Sequence, residues 1–164
     1  MSIIRITKQF TFEMAHALSG YDGLCRNIHG HSYHFDVTVK GVPNKDQNSP
    51  KQGMLIDFKD LKKIVNEEII IPLDHALLLN HTTDAELIQT LQKNYNKIVL
   101  VPFQPTTENL LAEFAQRLQK KLPSQVQLFS MKLRETDRSF AEWYAEDNSE
   151  KESVFFYPSY NQTT

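Results

Sequence analysis

The chain has 164 residues, a formal net charge of −2 with neutral histidines, and 40% apolar residues. This length and composition predict one globular domain with a core of its own. The small net charge gives no general attraction to nucleic acid or to an anionic membrane, and no apolar run reaches the length of a membrane span. We therefore expect a cytoplasmic protein with neither kind of partner.

Two strands are predicted near the N-terminus, because apolar and polar residues alternate there. One face of the first strand carries Ile4, Ile6, Phe10, Phe12, Met14 and His16. One face of the second carries His29, His31, Tyr33, Phe35, Val37 and Val39. Successive side chains of a strand point to opposite faces, so His16, His29 and His31 are predicted to point inward and His34 outward.

This placement predicts a metal site. A His-x-His pair on one strand and a third imidazole from a neighbouring strand supply three neutral nitrogens to Zn²⁺ and leave a fourth position open. An open position favours catalysis over a purely structural role. The alternatives are that these histidines are satisfied core residues, or that they bind another divalent metal.

The single cysteine, Cys25, cannot form an internal disulfide. It lies four residues before His29, in the turn that leads into the second strand. A nearby Zn²⁺, Arg26 and a histidine would all favour its thiolate form, so we interpret Cys25 as catalytic. The alternative is a buried, inert thiol.

Two helices are predicted further along the chain. Asp57 is expected to cap the first, which ends at Pro72. The second follows Pro105 and is capped by Thr106 or Thr107. Their core-facing stripes are Phe58, Leu61, Ile64, Val65 and Ile69, and Leu110, Leu111, Phe114, Leu118 and Leu122. Residues 84–97 give no clear element, and residues 98–103 favour a short extended segment.

Two last strands cover residues 126–135 and 140–144, the first with Phe129, Met131, Leu133 and Glu135 on one face. The elements predict an α+β fold in which a four-stranded antiparallel sheet packs against two helices, in ββααββ order. Its two open edges favour a homo-oligomer. Residues 146–164 are interpreted as a polar C-terminal extension of the domain formed by residues 1–145.

Two acidic positions also favour a site. Asp74 beside His75 is a pair that can move a proton to or from a thiol on another loop, although such pairs are often simple surface contacts. Glu135 lies on an apolar face and therefore needs a partner. That partner is either Arg134 or Arg138 in an ion pair, or a heterocycle whose two parallel N–H groups match a carboxylate.

Five segments between about residue 3 and about residue 144 resemble the 6-pyruvoyl-tetrahydropterin synthase family. They are Phe12-Glu13-Met14-Ala15-His16, Cys25-x-x-x-His29-Gly30-His31-Ser32-Tyr33, Leu73-Asp74-His75, Pro105-Thr106-Thr107-Glu108-Asn109 and Leu133-Arg134-Glu135-Thr136. The spacing of the cysteine from His-Gly-His is similar to that of the branch that makes 6-carboxy-5,6,7,8-tetrahydropterin for queuosine and other deazapurines.

The resemblance implies roles for nine residues. It implies a zinc ion on His16, His29 and His31. It also implies that Cys25 moves protons on the substrate side chain. It implies that Asp74 and His75 tune the thiol. It implies that Glu135 anchors the pterin ring and joins the proton relay. Thr107 and Glu108 are implied to line the pocket.

The resemblance further implies the tunnelling fold, in which subunits assemble into a barrel, commonly a hexamer of two stacked trimers. The implied reaction converts 7,8-dihydroneopterin triphosphate to 6-carboxytetrahydropterin, acetaldehyde and triphosphate. The alternatives are pyruvoyl-type elimination, aldolase-type cleavage of the same substrate, or a zinc-dependent binding module without turnover. The segment between Asn80 and Pro105 is longer than compact family members need.

Overall fold

The structure, a computed structural model, describes residues 2–148. The strands are β1 Ile4–His16, β2 His29–Gly41, β3 Ala76–Asn80, β4 Ile98–Val101, β5 Gln127–Thr136 and β6 Ser139–Tyr144. The helices are α1 Phe58–Val65, α2 Ala85–Asn94 and α3 Thr107–Lys121. α1 continues through a π-helical turn, Asn66–Ile70, and a last turn, Ile71–Leu73. Most of the expected C-terminal extension, from residue 149 onward, lies outside the described residues.

The strands form one sheet in the order β4-β3-β1-β2-β5-β6. β1, β2, β5 and β6 pair in antiparallel fashion, whereas β3 is parallel to both β1 and β4. The α+β class is confirmed, but the prediction of four antiparallel strands and two helices is wrong. β3 is a short apolar run without alternation, and α2 buries only Ile88, so neither carries a strong periodic signal. The extended segment expected after residue 98 is β4.

The helices α1 and α3 cover the inner face of the sheet. Their predicted caps are confirmed: Asp57 accepts from Lys59 N at 2.8 Å, and Thr106 accepts from Asn109 N at 3.4 Å. Phe58 is wrongly assigned to the core, because it is 50% exposed at the first helical position. No helix among residues 2–148 is long and apolar enough to cross a membrane.

A bulge in β5 corrects the predicted face of Phe129. The pairing with β2 shifts register so that Val39 faces Leu128 and Thr38 faces Ser130, which leaves Phe129 as an extra residue. Leu128, Met131 and Leu133 therefore point into the core, while the Phe129 ring packs under the Arg5 guanidinium, 3.8 Å from its centroid. Glu135 keeps the inward phase of Met131 and Leu133.

Candidate metal centre and catalytic groups

The register of β1 and β2 builds a cluster of three histidines at one end of the sheet. His16 faces His29 directly across the strands, and Met14 faces His31, so all three imidazoles emerge on the inner face. Their ring centroids lie 4.5 to 5.3 Å apart. One nitrogen from each ring lies within 4.8 Å of the others. His34 is exposed on the opposite face, as expected.

Backbone carbonyls orient two of the rings. His16 Nδ1 lies 2.7 Å from Pro105 O, and His29 Nδ1 lies 2.8 Å from Asn27 O. A carbonyl only accepts hydrogen bonds, so each Nδ1 carries the proton and donates. The unprotonated Nε2 of each ring is then the atom available to a metal, which is the usual outer-sphere arrangement of metal-binding histidines.

The cluster fits a divalent metal on two further grounds. Burial lowers the pKa of His16 and of His31 below the ordinary value of 6.5, which favours the neutral, ligating imidazole. The Nε2 atoms of both residues are buried and have no hydrogen-bond partner. Buried polar atoms are normally satisfied, so these two unpartnered nitrogens fit the role of metal ligands. Three imidazole nitrogens with an open side are a donor set suited to Zn²⁺.

Glu135 adds a carboxylate beside the cluster. Its Oε1 lies 3.4 Å from Nε2 of His16, 3.4 Å from Nε2 of His31 and 3.4 Å from the hydroxyl of Tyr33. Burial raises the pKa of Tyr33 above its ordinary value of 10.0, and Glu135 raises it further, so the hydroxyl remains a donor. An ion pair between Glu135 and Arg134 was one alternative from the sequence. The Arg134 guanidinium instead donates to Asp137 O at 3.1 Å.

The loop that precedes α3 lines the same end of the sheet. Gln104 Oε1 and Thr107 Oγ1 are buried without a hydrogen-bond partner. With the two histidine nitrogens, they complete the set of such side-chain atoms within residues 2–148. Thr107 was expected in the pocket, whereas sequence reasoning missed Gln104 because a glutamine in a loop carries no pattern. Glu108 is exposed in the first turn of α3.

Asp74 and His75 are hydrogen-bond partners in a constrained turn. Asp74 Oδ2 lies 3.0 Å from His75 Nδ1. The turn is fixed to β1 on both sides of the pair, because Glu13 N donates to Asp74 Oδ1 at 2.9 Å and His75 N donates to Glu13 O at 2.6 Å. His75 has φ = 60°, a left-handed conformation unfavourable for a residue with a Cβ. The imidazole is held at an exposed position, with 76% of its side-chain surface accessible.

A cavity of about 750 Å³ brings part of the predicted site together. Its lining includes His31, His75, Glu13, Lys97, Tyr95 and Leu91. Cys25 lies elsewhere, exposed on the 3₁₀ turn Leu24–Arg26, and among the described residues it does not line this cavity. Among the described residues, the three histidines lie together with Glu135, and Asp74 lies beside His75, while Cys25 is in neither group.

The fold and the site define an α+β protein with a three-histidine cluster that could hold a metal ion, at the end of a mixed sheet. The family model for 6-pyruvoyl tetrahydropterin synthase matches residues 5–146. A 6-carboxy-5,6,7,8-tetrahydropterin synthase of Haemophilus influenzae is 40% identical over 143 residues, which cover 86% of this chain and 99% of that protein. The chain belongs to the 6-pyruvoyl tetrahydropterin synthase family.

Other comparisons agree with this assignment. A 6-carboxy-5,6,7,8-tetrahydropterin synthase of Rickettsia typhi is 32% identical over 144 residues, covering 85% of this chain and 99% of that protein. The crystallised 6-pyruvoyl tetrahydropterin synthase of Caenorhabditis elegans superposes with a TM-score of 0.62 at 23% identity, covering 88% of this chain and 96% of its own. That likeness shows a common fold.

Proposed function

We propose that this chain is a 6-carboxy-5,6,7,8-tetrahydropterin synthase. It would convert 7,8-dihydroneopterin triphosphate and water to 6-carboxytetrahydropterin, acetaldehyde and triphosphate, a reaction that supplies queuosine and related deazapurines. The observation that carries the proposal is the cluster of His16, His29 and His31 with Glu135 beside it, in a chain similar to the Haemophilus influenzae synthase over 99% of that protein.

The three histidines would hold Zn²⁺ through their Nε2 atoms. A bound zinc ion would supply a Lewis acid for the oxygens of the substrate side chain and so stabilise negative charge next to the carbon that loses its proton. The protein's part is to keep the rings neutral and fixed, which burial of His16 and the carbonyls of Pro105 and Asn27 support.

Glu135 would anchor the pterin ring. A carboxylate accepts two parallel hydrogen bonds from the amide and amino N–H groups of a pterin. Its Oε1 is near two imidazoles and one hydroxyl, so it lies within reach of a ring placed beside the metal. Thr107 Oγ1 and Gln104 Oε1 would take further polar groups of the ring, since both atoms are buried and unpartnered. Glu108 would lie at the mouth of the pocket.

Cys25 would act as the base on the substrate side chain. Its thiolate would accept the proton from carbon, and the Asp74–His75 pair would take up and return that proton. The imidazole of His75 is exposed and oriented by Asp74, and the thiol is exposed too, so each is free to meet a group from outside its own chain. We therefore assign these groups to an active site shared between neighbouring subunits.

The sheet leaves edges for such an assembly. β3 pairs with β1 only at Met14–His16, so residues 4–12 of β1 have no partner on that side among the described residues. β6 forms the opposite edge of the sheet. Unpaired edges invite strand pairing between copies, and pairing β1 of one copy with β6 of the next would close a barrel. We propose a hexamer of two stacked trimers.

Product analysis tests the proposal. Zinc-loaded protein is incubated with 7,8-dihydroneopterin triphosphate, and the products are identified by mass spectrometry. We expect 6-carboxytetrahydropterin and acetaldehyde from the wild type and from the outer-face control His34→Ala, and none from Cys25→Ala, which should retain its zinc. A pyruvoyl or hydroxymethyl pterin would replace the proposal with elimination or aldolase-type chemistry. Absence of turnover by the wild type would favour a zinc-dependent binding module.

A further inference from the structure

Lys97 connects the segment between β3 and β4 to the Asp74–His75 turn. Its Nζ donates to Ile71 O at 2.7 Å and forms a second, shorter hydrogen bond to Asp74 O. Both carbonyls belong to the end of the helical segment that closes at Leu73, where unpaired carbonyls attract a cation. That last turn carries no basic residue of its own, so the cation is supplied from a part of the chain more than twenty residues away.

The sheet register explains why Lys97 reaches the turn. β3 and β4 are parallel with Leu77 opposite Ile98, and Leu77 N donates to Lys97 O at 2.9 Å. Lys97 therefore lies beside the residue that follows His75. The predicted four-stranded sheet did not include the pairing of β3 with β4, so it could not place Lys97 beside this turn.

The turn needs such support. His75 adopts a left-handed conformation, and its imidazole is exposed, so packing does little to fix it. Glu13 holds the turn from the β1 side through the amide and carbonyl contacts already described. Lys97 holds it from the opposite side, through the carbonyl of Asp74. His75 and Lys97 both line the 750 Å³ cavity, so this clamp, formed by the bonds of Glu13 and Lys97 to the turn, lies at the wall of that cavity.

We propose that Lys97 is a positioning residue that fixes the Asp74–His75 pair for proton transfer, which makes the β3–β4 segment part of the catalytic apparatus. The role rests on the proposed function. Lys97 is assigned no contact with substrate. Its two hydrogen bonds determine where the His75 imidazole stands.

Steady-state kinetics on the zinc-loaded enzyme test the role. Lys97→Met keeps the aliphatic stem and removes the donors, and we expect kcat to fall about 10- to 100-fold, as for other small misplacements of a reacting group. We expect KM to stay within about twofold, because binding of the ring is unaffected. Lys97→Arg should recover most of the loss. Lys93→Met, on the exposed surface of α2, is the matched control and should resemble the wild type.

A double variant distinguishes positioning of His75 by Lys97 from a general effect of Lys97 on folding. In a His75→Ala background, Lys97→Met should cause no further loss of kcat, because the residue through which it acts is gone. Losses that multiply in the double variant, or a rise in KM at unchanged kcat, would overturn the proposal.

Hydrogen exchange followed by mass spectrometry supplies a readout that needs no turnover. A peptide covering residues 71–77 should exchange faster in Lys97→Met than in the wild type, and Lys97→Arg should restore protection. Unchanged exchange in Lys97→Met would overturn the clamp whatever the enzyme's activity. A wild type that fails to turn over the pterin triphosphate would instead overturn the proposed function, while the exchange result still decides the clamp.

Discussion

Pro105 O accepts a hydrogen bond from His16 Nδ1 at 2.7 Å, although 89 residues separate them. This contact joins the end of β1 to the loop before α3. It fixes the His16 tautomer with Nε2 free. The segment at the start of α3 thus orients His16 and also carries two buried side-chain atoms without a hydrogen-bond partner, Gln104 Oε1 and Thr107 Oγ1.

The first prediction concerns metal content. His29→Ala removes one of three nitrogens, and the two that remain are an incomplete donor set, so we expect zinc to fall from about one ion per chain to a small fraction of that. Mass spectrometry of the purified protein for zinc measures the change. The control is His34→Ala, which lies three positions after His31 on the same strand and therefore on the opposite face. Full zinc in His29→Ala would contradict the three-histidine centre.

Glu135 gives the second prediction. Glu135→Gln removes the negative charge that would accept the pterin N–H groups, and a charge-assisted hydrogen bond contributes about 2 kcal/mol, or about a 30-fold change in affinity. We expect weaker pterin binding by calorimetry, with zinc content unchanged. Glu142→Gln, which removes an exposed carboxylate paired with Lys132 at 3.5 Å, is the matched control. Equal affinity in wild type and Glu135→Gln would remove Glu135 from the ring site.

The clustering of the three histidines was predictable because strand alternation has a fixed period. Once β1 and β2 are assigned, the inward phase of His16, His29 and His31 follows from geometry alone. The pairing of His16 with His29 depended on register, which the apolar pattern of both strands specifies strongly. The helix caps could also be predicted from the sequence, since Asp57 and Thr106 act through contacts within three residues.

Other features depend on contacts that no local pattern encodes. The β5 bulge moves the Phe129 side chain to the other face of the sheet. Only the pairing of β5 with Thr38 and Val39 reveals this bulge. Lys97 reaches Asp74 through the parallel pairing of β3 with β4, which no pattern within either short strand predicts. The sequence indicated Cys25 as catalytic, but only the structure shows that it is exposed on a 3₁₀ turn and does not line the cavity shared by His31 and His75.

A third prediction addresses the core. Phe114 on α3 is 1% exposed, and its ring packs edge-on against Phe35 of β2 with centroids 5.3 Å apart. Phe114→Ala should lower the free energy of unfolding by about 3 to 5 kcal/mol, because it removes buried apolar surface and leaves a cavity. Urea denaturation measures the change. Phe58→Ala, at a half-exposed aromatic of α1, should change it by less than about 1 kcal/mol.

The last prediction is a pH dependence at Asp74. The amide of Glu13 donates to this carboxylate and is the main cause that lowers the pKa of Asp74 below its ordinary value of 3.8, with the neighbouring His75 as a further cause. A pKa lowered by folding means that the ionised carboxylate stabilises the folded state above the unfolded pKa, and that this contribution is lost as the pH falls through the folded value. Asp74→Asn should therefore be less stable than the wild type at about pH 6, and the two should converge towards about pH 3. Urea denaturation across this range measures the difference, with Asp22→Asn as a control for the loss of one exposed charge. A difference that is constant with pH, or that grows on acidification, would show that the ionised form of Asp74 does not stabilise the turn.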